Sequence, residues 1–118
     1  MTRTALSVAL MLGASAALAV GPCHEEPGTR EMTCIDGTKV RSNGDLRASI
    51  IYMGGPNGVE KTPYLMIADC SRRVMTMQDA QGVNFGGGVF NSTPASRTLS
   101  GALCSAEKTR PDASLEQF

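Results

Sequence analysis

The sequence predicts a small α+β domain: an antiparallel β-sheet of five to six strands with one C-terminal helix, stapled by disulfides. Three observations predict it. Short runs containing Val, Ile, Thr and Tyr recur between Gly-, Pro-, Asn- and Asp-rich turn signals. Helical spacing of apolar residues begins only after Thr93-Pro94. Four cysteines, Cys23, Cys34, Cys70 and Cys104, lie in a short chain behind an apolar leader, the usual arrangement of a disulfide framework in an exported domain.

Residues 1–19 have the order of a secretory signal peptide. Arg3 supplies the positive charge, Ala5 to Val20 contains no charged residue, and Ala17-Leu18-Ala19 places small side chains at both specificity positions of a cleavage site. Cleavage is expected after Ala19. The apolar stretch falls short of the ~20 residues that a spanning helix needs, so no membrane span is predicted. Pro22 precedes Cys23 where lipid attachment wants a small residue, so lipidation is not expected. These features place the mature chain in the periplasm or outside the cell.

The elements follow in order. Residues 20–30 hold two prolines and form an irregular lead-in, before a single domain over 31–108. Residues 31–35 and 38–41 are expected to pair as a hairpin around Asp36-Gly37, since glycine tolerates the positive φ of such turns. After Ser42-Asn43-Gly44-Asp45, residues 46–53 form a third strand rich in β-formers. The run 54–63, GGPNGVEKTP, reads as the longest loop. Residues 64–70 carry apolar side chains on both faces, which predicts a central strand. Residues 73–78 and 83–90 complete the sheet, the last interrupted by Gly86-Gly87-Gly88. That triplet is not a phosphate loop, because no lysine and no helix follow it. Thr93 is the expected N-cap and Pro94 the first helical residue. Ala95, Leu99, Ala102, Leu103 and Ala106 give the helix its apolar face. Residues 109–118 are polar and expected to be a flexible tail.

Of the three possible cysteine connectivities, Cys23–Cys34 with Cys70–Cys104 is favoured, because neighbours in sequence close the smallest loops. No two cysteines have the close spacing of a zinc site.

Candidate chemistry is sparse. His24 is the single histidine and lies in the lead-in, too far from the new terminus for amino-terminal copper capture. Met75 and Met77 share a strand face and offer thioethers to copper(I), but methionine at such positions is ordinary core filling, and no metal site is assigned. Asp69, Arg72 and Arg73 form a charge cluster, and arginine's forked donors suit a carboxylate partner. This is the expected binding patch. Without residues 1–19 the chain carries ten basic and eleven acidic residues, with no basic run, so nucleic acid is not an expected partner. Catalytic residues: none; cofactors: none.

Tyr64-Leu65, Asp69-Cys70-Ser71-Arg72-Arg73, Asp79, Gly82 and a final helix bearing Cys104 resemble the surface-adhesin protein E family over residues 64–104. The resemblance implies a small exported bacterial envelope domain with a Cys70–Cys104 disulfide and no catalytic residue. A second likeness, through Thr33-Cys34-Ile35-Asp36-Gly37-Thr38-Lys39-Val40, is similar to the opening of periplasmic inhibitors of C-type lysozyme. The first implies a non-enzymatic binding domain with a protein or glycan partner. The second implies an inhibitor of a cell-wall hydrolase, with Asp36 or Asp45 on the inhibitory loops.

Overall fold

The computed structural model describes residues 20–117, so the signal-peptide expectation for 1–19 lies outside the described residues. Eight strands form one sheet: β1 (Cys23–Glu25), β2 (Met32–Ile35), β3 (Val40–Asn43), β4 (Leu46–Gly55), β5 (Gly58–Asp69), β6 (Val74–Gln78), β7 (Asn84–Val89) and β8 (Thr109–Pro111). A helix, α1 (Pro94–Cys104), precedes β8, and a 3₁₀ turn over Ala113–Gln117 follows it. The expected class holds, with two strands more than expected. One lies in the lead-in and the other in the tail.

The strand order is β1-β2-β4-β5-β6-β7. β2 and β3 do not form the expected hairpin with each other. Both run antiparallel to β4, end to end along the same edge: Ile35 pairs with Ile51, and Arg41 with Ala48. Between them the chain makes an excursion at Asp36-Gly37-Thr38-Lys39. Its turn is closed by Lys39 N–H donating to Asp36 O at 3.0 Å, while the Asp36 carboxylate accepts from the Thr38 N–H and hydroxyl. The Asp-Gly signal correctly marks a turn; β4 is long enough to take both flanking strands.

The expected loop at 54–63 is instead the tip of the longest hairpin. β4 and β5 stay paired to Gly55↔Gly58, leaving Pro56-Asn57 as the turn. Glycine permits this rather than forbidding it: a Cβ on Gly54 would lie 2.2 Å from the Gly58 carbonyl oxygen. Pro63 lacks an N–H, and β5 accommodates it where the register with β4 shifts, between Ile50 and Tyr52. There the Thr62 hydroxyl donates to Ile51 O at 2.7 Å.

The central strand is as expected. β5 lies between β4 and β6, and Met66, Ile67 and Ala68 are all buried. Its two faces enter separate clusters. Met66 and Ala68 join Ile35, Val40, Ile51, Met75 and Phe90 beneath Leu99 and Leu103 of α1. Ile67 packs with Ala48 and Leu115 on the opposite face.

α1 begins as its sequence dictates. The Thr93 hydroxyl accepts from Ser96 N–H at 3.0 Å, with Pro94 in the first turn. Its inner face also includes Ser96 and Ser100, both buried. Ser100 donates to the Ser96 carbonyl, and Ser96 donates to the Met75 sulfur, so the buried hydroxyls have partners. Cys104 bonds Cys70 and pins the helix end to the β5–β6 turn.

Both termini depart from expectation. In the lead-in, Cys23 pairs directly with Cys34 in the β1–β2 ladder and is disulfide-bonded to it, with Cα atoms 4.0 Å apart. In the tail, β8 runs parallel to β3, with Val40↔Thr109 and Arg41↔Arg110 in register. Leu115, 2 % exposed, then closes over Ala48 and Ile67. Leu115 lies in a largely polar segment without apolar periodicity, which is why the tail reads as flexible.

Candidate functional site

The Asp69–Arg73 segment is a tight turn between β5 and β6. One oxygen of Asp69, Oδ1, accepts from Ser71 N–H at 3.2 Å, Ser71 hydroxyl at 2.9 Å and Arg72 N–H at 3.0 Å. The Arg72 N–H is the main cause holding the Asp69 carboxyl below its usual pKa, with the Ser71 donors adding to it against burial. Arg73 adopts φ 60° and donates its N–H to Asp69 O at 2.8 Å. Its guanidinium lies 5.3 Å from the Phe90 ring centroid, within cation–π range. The predicted patch is therefore one turn in which the acidic member faces its own backbone, Arg73 covers a core aromatic, and Arg72 stands exposed.

The same use of aspartate recurs. Asp79 Oδ1 accepts from Gln81 and Val83 N–H, and Asp112 Oδ1 accepts from Ser114 N–H and hydroxyl. With Asp36 and Asp69, four carboxylates close the turns in which they sit, the Asx geometry that short acidic side chains favour. His24 is in β1 rather than an irregular segment. Its side chain is 13 % exposed, with Nε2 3.3 Å from Glu26 Oε2. Met75 is a core residue, and its sulfur accepts from Ser96 at 2.9 Å.

A different constellation forms where β3 meets β8. A groove of about 480 Å³ is lined by Thr38, Lys39, Val40, Arg41, Ile50, Lys108, Thr109 and Arg110. Four of these eight residues are cationic. Arg41 and Arg110 are register partners on adjacent parallel strands, where backbones lie roughly 4.8 Å apart. Lys39 and Lys108 each precede them by two positions, in the segments that lead into β3 and β8. Lys39, Lys108 and Arg110 are exposed.

Arg41 is held in place by Asp112, with Nη1 2.7 Å from Oδ2. The Ser114 hydroxyl and then Arg41 lower the Asp112 pKa to about 2. Among the described residues, no carboxylate forms an ion pair with Lys39, Lys108 or Arg110. The sequence reading missed this cluster because its two halves are far apart in the chain. The local pattern Lys-x-Arg, present at both 39–41 and 108–110, was the available signal.

On the far side of the sheet, β7 is an edge strand with all six residues exposed. Phe85 packs against Tyr64 of β5 with ring centroids 5.1 Å apart. Gly87 is required there: its φ is +146°, and a Cβ would lie 2.4 Å from the Met75 carbonyl oxygen.

Among the described residues, no helix is long and apolar enough to cross a membrane. Comparison with known proteins gives no match to a family model, a curated protein or a solved structure.

Proposed function

We propose that this chain is an exported, non-enzymatic binding domain of the bacterial envelope, adhesin-like in its role, and that it takes its ligand at the β3–β8 groove. The observation that carries the reading is the gathering of Lys39, Arg41, Lys108 and Arg110 around one groove in a chain of zero formal net charge. Charge separated in this way costs self-repulsion that an anionic ligand relieves. The oxidised cysteine pairs support export, because such bonds persist outside the reducing cytoplasm. The turn-closing roles of Asp36, Asp69, Asp79 and Asp112 support a binding role over acid–base chemistry, which needs a carboxyl directed at a substrate.

Two measurements test this. Expression with the native leader, followed by intact-mass analysis of the exported protein, is expected to give a chain starting at Val20 with no alkylatable thiol. A retained Met1 with free thiols overturns export. The mature domain is expected to bind phosphocellulose despite its balanced charge. K39E/K108E should abolish retention, whereas R72E/R97E, with the same change in net charge, should keep it. Equal loss in both double variants overturns the groove assignment.

The inhibitor reading places Asp36 or Asp45 in an enzyme cleft. Asp45 is exposed in the β3–β4 turn, and a lysozyme turbidity assay with micromolar protein decides that reading directly.

A further inference from the structure

We infer that the ligand of the β3–β8 groove is an anionic polysaccharide, a glycan chain bearing carboxylate or phosphate groups at successive units. The inference rests on the binding reading above and adds the chemical class of the ligand.

A site for one small anion converges its donors on a point. Here Arg41 and Arg110 are register partners on β3 and β8, and Lys39 and Lys108 lie two positions earlier, in the segments that lead into those strands. Residues two apart in an extended chain are separated by at most roughly 6.6 Å, so four cations spread along the groove suit a ligand whose charges repeat along its length. The groove is open at the surface rather than enclosed, as the exposure of Lys39, Lys108 and Arg110 shows. Its volume of about 480 Å³ falls within the roughly 300–1,000 Å³ of sites that hold a small ligand or a short piece of a chain.

The remaining lining separates a glycan from a nucleic acid. Proteins that hold single-stranded nucleic acid combine a basic track with aromatic side chains on which bases stack. Among the described residues the lining contains no aromatic side chain; it is Thr38, Thr109, Val40 and Ile50 beside the four cations. Threonine hydroxyls both donate and accept, which suits sugar hydroxyls, and the half-buried Ile50 side chain offers apolar surface to the C–H face of a ring.

Arg41 has a defined place in this scheme. Asp112 fixes its guanidinium at 2.7 Å, and the planar fork keeps further donors for a ligand oxygen. Lys39 and Lys108 are flexible point charges that adapt to the position of the next anionic group.

Titration calorimetry on the mature domain tests the inference with four probes: an oligogalacturonate, a glycerol-phosphate oligomer, inorganic phosphate and hexathymidylate. One of the two repeating polyanions is expected to bind at least about tenfold more tightly than inorganic phosphate. The first identifies carboxylate as the source of charge and the second phosphate. Binding should weaken as salt rises, because exposed charges are screened. K39E and K108E are each expected to weaken it by about tenfold, with R97E unchanged; melting curves confirm that all three variants fold. Tighter binding of hexathymidylate than of either polyanion overturns the glycan class in favour of nucleic acid. Preference for inorganic phosphate, or no binding of either polyanion, overturns the repeating-ligand inference. The phosphocellulose result stands separately, so a wrong ligand class is distinguishable from a wrong site.

Discussion

Arg41 Nη1 and Asp112 Oδ2 lie 2.7 Å apart across 71 positions of sequence. This contact joins β3 to the segment that supplies the other wall of the basic groove. Asp112 also anchors the 3₁₀ turn through Ser114, and its N–H donates to Ser42 O at 2.9 Å. One carboxylate thus holds the C-terminal segment to the sheet and sets the position of a groove arginine.

Acid should release this segment first. The Ser114 hydroxyl and Arg41 lower the Asp112 pKa from 3.8 to about 2. A carboxyl depressed in the folded state stabilises fully above its unfolded value, and that contribution is lost as pH falls through the folded value. The window is therefore pH ~4 down to ~2. Hydrogen-exchange protection over residues 109–115, measured relative to the intrinsic rate at each pH, is expected to fall in that window ahead of the central strands β4 and β5. D112N should remove the pH dependence of the difference.

Leu115 should behave as a core residue despite its place near the end of the chain. It is 2 % exposed and packs on Ala48 and Ile67. L115A is expected to cost roughly 2–3 kcal/mol, the lower part of the range for buried Leu→Ala, because the cluster is small. Urea unfolding measures it; a cost below about 0.5 kcal/mol, the range of surface substitutions, would mean that the tail does not dock.

The two disulfides should contribute unequally. Cys70–Cys104 spans 34 positions and Cys23–Cys34 spans 11. Loop-closure entropy gives about 3.8 and about 2.8 kcal/mol respectively. Paired Cys→Ser variants compared in chemical denaturation are expected to rank in that order. The Cys70/Cys104 variant should also show faster exchange in α1, whose last residue is Cys104.

Neighbouring glycines at the β4–β5 tip should differ sharply. A Cβ on Gly54 meets the Gly58 carbonyl oxygen at 2.2 Å, while one on Gly55 meets nothing within 4 Å. G54A is expected to destabilise by roughly 1–3 kcal/mol, the cost of forcing an atom into a closed contact. G55A should be close to neutral. Melting temperatures of the two variants check it, and equal behaviour would mean that the hairpin does not close at Gly55↔Gly58.

Much of the scaffold was legible because its signals are local. Thr93-Pro94 announces a helix start through groups three residues apart. The apolar character of both faces of 64–70 announces a central strand. The cysteine pairing follows from proximity in the chain. Glycine at 54–58 was ambiguous: the same residue breaks a strand or lets two strands approach, and only the partner's carbonyl position decides which. Aspartate at 69 was ambiguous in the same way, since a carboxylate beside arginines suits either a ligand or its own turn.

The sequence by itself determined a small two-layer, disulfide-bonded sheet-and-helix domain and where its helix begins, because those choices depend on neighbours a few residues apart. Only the tertiary structure decided that β2 and β3 share one edge of β4, and that β8 adds to β3 in parallel. It thereby brought Lys39 and Arg41 beside Lys108 and Arg110. Parallel pairing between segments nearly seventy residues apart leaves no periodic trace in either one, so the groove exists only once the chain has closed on itself.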